Sequence, residues 1–132
     1  MDFFEKVKKE IDSDLKLDRI DLLEKQLMLP AIKHKWIARL IQNKILKNQL
    51  ESKKKNLKND VLKSLQENGI PTNLPKAALD RKIDSSESIT AIDDQIKETE
   101  IIIEYLEKVE TICKSLTFDI KNAVELEKLE TT

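Results

Sequence analysis

Seven lysines between positions 44 and 63 are the side chains here best placed to do chemistry, and that chemistry is contact with a polyanion. Lys44, Lys47, Lys53, Lys54, Lys55, Lys58 and Lys63 recur with only Glu51 and Asp60 as acids among them. Spacings of three and four keep much of this set on one side of a helix. Neighbouring like charges on a helix repel, so the pattern costs stability unless something anionic compensates. Two compensators are open: an acidic helix of the same chain, or a phosphate backbone. Aromatic interleaving is poor, because Trp36 is the only aromatic between Phe4 and Tyr105. Its place on an apolar stripe reads as core rather than as a platform for stacked bases. Any nucleic-acid contact would then rest on phosphates, without sequence readout.

The rest of the chain offers little for catalysis. One glycine leaves no phosphate-cradling loop. The one histidine, His34, lies between Lys33 and Lys35 and reads as a surface residue. The acid pairs Asp93/Asp94 and Glu98/Glu100 read as solvated charge, with no apolar neighbours to tune them. One cysteine and one histidine make neither a disulfide nor a zinc site, and a lone Cys113 fits a reducing compartment. The chain therefore reads as no enzyme and as needing no cofactor. No apolar run approaches the ~20 residues of a membrane span, and MDFFEKVKKEID does not read as a signal peptide. The expectation is a soluble, intracellular protein.

The elements that must position the lysines are long helices. Charged residues make up 37% of 132 positions, with one glycine and three prolines, which leaves few turns. Residues 33–82 carry 13 basic against 4 acidic residues, and residues 83–132 carry 5 against 13. The near-zero total hides a dipole along the sequence. Phe3, Phe4, Val7, Ile11 and Leu15 predict an amphipathic helix over residues 2–16. Asp18 can cap a second short helix carrying Ile20, Leu23 and Leu27, with Pro30 ending it or opening the next. A basic helix follows from about Ala31, its stripe running through Trp36, Ile37, Leu40, Ile41, Ile45 and Leu46, then Leu50, Leu57, Val61 and Leu65. Asn68-Gly69 supplies a left-handed cap, and Pro71 forbids continuation. Residues 70–88 read as a loop region, with a helical turn at 76–82 and a cap at Ser86 or Ser88. An acidic helix spans 89–128, its seam Ile89, Ile92, Ile96, Thr99, Ile103, Leu106, Val109, Cys113, Leu116 and Ile120 at near-heptad spacing. The predicted fold is all-α: one helical domain over 1–132, with N-terminal helices in 1–29 and two long helices as an antiparallel hairpin. On the bland reading the opposite charges only pair across that hairpin.

The stretch LPAIKHKWIARLIQNKILKNQLESKKKNLKNDVLKSLQENG and the ending YLEKVETICKSLTFDIKNAVELEKLE resemble the UvsY family of recombination mediators of T-even-like tailed phages. The matching pieces are Asp14 to Asp18, the pair Lys35-Trp36, Glu51 with Lys53 to Lys55, Gly69, and Ile120-Lys121-Asn122. The similarity covers roughly residues 13–128. It implies non-specific single-stranded DNA binding, a ring-like homo-oligomer of six or seven subunits, and help in loading a RecA-like recombinase in place of single-strand-binding protein. If the chain is phage-encoded, this would take place in the host cytoplasm. The family's DNA-binding motif, Leu-Lys-x-Arg-Leu-x-Tyr, meets Leu57-Lys58 here. Its arginine falls on Asp60 or Val61, and Ser64 and Leu65 stand where tyrosines are usual. The resemblance transfers DNA contact to Lys58, while the other lysines rest on charge. It also implies an oligomer interface on the last helix at Leu116, Phe118, Ile120, Ala123 and Val124. The alternative is a helical scaffold or adaptor that binds no DNA.

Overall fold

The structure, a computed structural model, describes residues 2–17, 22–69 and 74–131. Four helices account for nearly all of them: α1 (Asp2–Leu15), α2 (Leu22–Glu67), α3 (Lys76–Asp84) and α4 (Glu87–Thr131). None of them is long and apolar enough to cross a membrane.

Two differences from the sequence reading concern helix ends. Leu23 and Leu27 belong to α2 itself, which runs unbroken through Pro30 to a length of 46 residues. Proline removes one backbone donor from the ladder. The buried residues on either side, Leu29 and Ile32, anchor the helix across that gap. The buried face also differs: Leu22 and Leu29 are covered, whereas Leu23 and Leu27 are 69% and 75% exposed. Asp18 and Ile20 lie outside the described residues, as does Pro71. Within the expected loop region, α3 is a nine-residue helix with buried Ile83. Gly69 does take the left-handed conformation, with φ 74°, and its N–H donates to the Gln66 carbonyl at 3.1 Å. A side chain there meets no steric obstacle, so backbone conformation alone favours glycine. Ser86 precedes α4, and its carbonyl accepts from Thr90 N–H at 3.0 Å. Its hydroxyl makes no hydrogen bond among the described residues.

The chain divides into two compact units, Met1–Gln42 with Ile102–Thr132, and Asn43–Ile101. The first holds two apolar clusters. Val7 and Ile11 of α1, Ile32, Trp36 and Leu40 of α2, and Leu106, Val109 and Cys113 of α4 form one. Leu22, Leu29, Leu116 and Ile120 form the other, with Leu15, Ala123 and Val124 packed on it. Phe4 adds an edge-on contact with Tyr105 at 5.1 Å.

The second unit has a lopsided core. Ile83 of α3 and Ile89, Ile92, Ile96 and Thr99 of α4 are buried. The facing residues of α2, Leu50, Leu57, Val61 and Leu65, are only half-buried. The expected α2 stripe is too wide for its neighbours to cover. Trp36 and Leu40 are buried, but Ile37, Ile41, Ile45 and Leu46 are 41%, 51%, 52% and 42% exposed. In both units α2 and α4 run antiparallel: in the first, Leu22 and Leu29 pack with Leu116 and Ile120 while Ile32, Trp36 and Leu40 pack with Leu106, Val109 and Cys113, and in the second Lys47 and Lys54 pair with Glu100 and Asp93.

Candidate nucleic-acid interface

The two units use charge differently, and the contrast defines the site. In the first, Trp36 is 1% exposed, and its ring N–H donates to Asp14 Oδ2 at 2.8 Å. Lys35 lies 5.0 Å and Arg39 4.7 Å from its ring centroids, close enough for cation–π attraction. Glu10 accepts from both nitrogens of the Arg39 fork, at 2.5 and 3.0 Å, and from Lys35 at 3.1 Å. Lys35 also meets Asp14 at 2.5 Å. The Arg39 hydrogen bond, reinforced by Lys35 against the opposing effect of burial, holds the Glu10 carboxyl down at about 2. Burial works to lower Lys35, but the hydrogen bonds it donates to Asp14 and Glu10 outweigh it and leave the ammonium raised. Burial also raises the Cys113 thiol, with nearby Asp14 adding to the effect. This network closes over a buried aromatic and is structural. Glu10 and Arg39 do not stand out in the sequence, and Asp14 does so only as the first residue of a family-matched stretch. The signal available was Trp36 flanked by cations one residue before and three after it.

In the second unit the seven candidate lysines separate into different rows. Lys47 meets Glu100 at 3.3 Å, and Lys54 meets Asp93 at 2.6 Å. These pairs fall seven residues apart on both helices, as an antiparallel seam requires. Lys58 meets Asp84 of α3 at 3.4 Å. All six side chains keep between 29% and 55% of their exposure, so solvent screens each pair. Lys44, Lys53, Lys55 and Lys63 are exposed. Among the described residues, Lys53, Lys55 and Lys63 make no ion pair. The lysines are therefore not one uniform face: three line the α2 seam and the rest point outward.

The outward face between these lysines is a shallow depression of about 490 Å³, lined by Ile45, Asn48, Gln49, Ser52, Lys53 and Asn56. None of the described residues that line it carries a carboxylate.

Residues 10–132 match the model of a family described as recombination, repair and ssDNA binding protein UvsY. This chain belongs to the UvsY family. Its fold is that of crystal structures of the bacteriophage T4 recombination mediator protein UvsY. The lattice type IV form aligns with a TM-score of 0.80 at 16% identity, covering 96% of this chain and 98% of that one. The lattice type II form gives 0.78 at 17% identity, with 97% of each chain covered. The lattice type I form gives 0.78 at 16% identity over 95% of this chain and 98% of that one. No curated protein sequence matches this chain.

The expected interface residues divide as well. Leu116 and Ile120, at 2% and 1% exposed, fill the chain's own second cluster and offer no surface to a partner. They share the heptad of Val109 and Cys113, so the intrachain seam claims them. Ala123 and Val124 are half-buried beside that cluster. Phe118 stays 67% exposed, as do Leu126 and Leu129 at 62% and 73%. His34 is exposed, in keeping with a surface residue.

Proposed function

We propose that this chain is a recombination mediator. It binds single-stranded DNA without sequence preference through the basic segment of α2. In the host cytoplasm it helps a RecA-like recombinase replace single-strand-binding protein on the strand. Lys44, Lys47, Lys53, Lys54, Lys55, Lys58 and Lys63 are the phosphate contacts of this reading. The observation that carries it is the outward set Lys53, Lys55 and Lys63, exposed and without ion pairs among the described residues, in a chain of the UvsY family. The resemblance of fold to a phage T4 recombination mediator supports the finer role. No catalytic residue is assigned and no cofactor is needed, because phosphate contact and strand hand-over require no bond chemistry on this chain.

The working form of this reading is a ring-like homo-oligomer. The uncovered α2 row of Ile37 and Ile41, and the exposed Phe118, Leu126 and Leu129 of α4, are apolar side chains that a second subunit would cover. Phe118, Ala123 and Val124 are then interface residues, and Leu116 and Ile120 support them from within the subunit. Removing residues 113–132 would delete core side chains too, so Phe118→Glu with Leu126→Glu is the cleaner probe. The double variant should lower the mass measured by light scattering and keep the helical spectrum. An unchanged mass would place the interface elsewhere.

Fluorescence titration of oligo(dT) across a salt series tests the function. Binding should weaken steeply with ionic strength as lysines release counterions. A RecA-like recombinase acting on protein-coated single strands should be stimulated. The adaptor reading draws on the paired set Lys47, Lys54 and Lys58, whose charges already have carboxylate partners. Absence of DNA binding at low salt would favour it.

A further inference from the structure

The depression on α2 is unusual in what lines it. This chain has 49 charged residues among 132, 24 basic and 25 acidic, yet the patch presents Asn48, Gln49, Ser52 and Asn56 with a single lysine. All four neutral side chains are exposed, and none has a hydrogen-bond partner among the described residues. Asparagine and serine are poorer helix formers than lysine or glutamate, on a scale where ordinary residues span about 0.7 kcal/mol below alanine. A face that served only solubility would favour the better formers. Asn48, Ser52 and Asn56 instead recur every four residues, about 6 Å apart along the axis at 1.5 Å per residue.

Carboxamides suit a ligand that presents donors and acceptors in a changing order. A carboxamide carries both, and a rotation exchanges them. Base edges along a DNA strand offer both donors and acceptors, and each deoxyribose adds acceptor oxygens. Asn56 and Lys63 are seven residues apart and share a helix face, and Lys55 flanks the same row. Ile45 closes one end with an exposed apolar wall. The paired lysines lie on the seam side, where carboxylates already occupy them.

We propose that single-stranded DNA lies along this outward face of α2. Asn48, Gln49, Ser52 and Asn56 hydrogen-bond its bases and sugars, and Lys53, Lys55 and Lys63 hold its phosphates. The proposal rests on the single-strand-binding reading above and moves its centre away from Lys47, Lys54 and Lys58.

Isosteric variants test it. Gln49→Glu with Asn56→Asp adds two charges at the face. Gln95→Glu with Asn122→Asp adds the same two at exposed positions of α4. The face pair should lose at least tenfold in affinity for oligo(dT), with melting unchanged, and the control pair should stay near wild type. Gln49→Ala with Asn56→Ala should weaken binding at every salt concentration and leave the salt slope intact. Lys53→Gln should instead lower the slope by about 0.7. Equal losses in the face and control pairs would mean that net charge alone matters, and would overturn the proposal. So would an alanine pair that binds like wild type. If the wild-type protein binds no single strand at low salt, the functional reading fails first and this site fails with it.

Discussion

The unit built around Trp36 and the unit built around the lysine segment contain the same kinds of charged side chain and use them in opposite ways. Around Trp36, two cations and two carboxylates close over an aromatic that is almost fully buried. Each ion there has a partner whose loss would uncover the core. In Asn43–Ile101 no side chain contributed by α2 is fully buried. The ion pairs lie at a screened edge, and three lysines have no carboxylate partner among the described residues. Charge beside a buried ring supports the fold. Charge on a thinly packed helix face remains available to a ligand.

The most severe way to test that contrast is to remove the ring. Trp36→Ala should cost about 3–5 kcal/mol, as for other large core aromatics. Thermal melting of the variant should show a large drop. Oligo(dT) affinity per folded molecule should hold, and a variant that folded normally but lost DNA would make Trp36 a ligand contact. A core deletion in the lysine unit should cost less. Ile92→Ala leaves a cavity beside half-buried neighbours that can relax into it, so a loss near the lower end of the usual range, about 2 kcal/mol, is expected from denaturant melts.

How much of this was legible in sequence depended on how many partners a pattern had to satisfy. The α4 seam was readable because a single near-heptad stripe serves that helix: Ile89, Ile92, Ile96, Thr99, Leu106, Val109, Cys113, Leu116 and Ile120 are buried, and only Ile103 of the expected set is half-buried, at the edge of the first cluster. The start of α2 was not. LLEKQLMLPAI supports two overlapping stripes, and Pro30 favoured a break that the anchors Leu29 and Ile32 override. The spacing of seven from Leu22 through Leu29 to Trp36 was the usable signal. Leu116 and Ile120 were legible as seam residues. Placing them at an interface as well followed the family resemblance over the chain's own periodicity. The lysine segment was visible from charge alone. Its division into paired and outward rows was not, because that depends on where Glu100, Asp93 and Asp84 lie in space. The neutral row at Asn48, Ser52 and Asn56 had a signal, a repeat of four, but no charge to draw notice.

Acid separates the two units more gently. The Glu10 carboxyl is held at about 2 in the folded chain, below its ordinary 4.5. A depressed carboxylate contributes stability that is fully present above about 4.5 and is lost as pH falls toward 2. Glu10→Gln should be less stable than wild type at neutral pH and should flatten melting temperature over that acid window. A variant with the same acid dependence as wild type would remove Glu10 from the account. The smallest effect belongs to the seam. Uncoupling Lys54 from Asp93 by Lys54→Met should change stability by less than about 1 kcal/mol, as for other screened pairs. A larger loss in melts would mean that the seam charges are structural too.

The central claim is that phosphate binding belongs to the outward lysines of Asn43–Ile101, and that the cations at Trp36 are structural. Salt-dependent titration of oligo(dT), run beside thermal melts, compares the two sets directly. Lys53, Lys55 and Lys63 all changed to Gln should bind weakly, with a salt slope reduced by about 2, which is roughly 0.7 for each lost contact. The melting curve of that triple variant should stay in place. Lys35→Gln with Arg39→Gln should melt earlier and keep the wild-type slope. The opposite pattern, a normal slope in the triple variant and a reduced one in the Trp36 pair, would contradict the account.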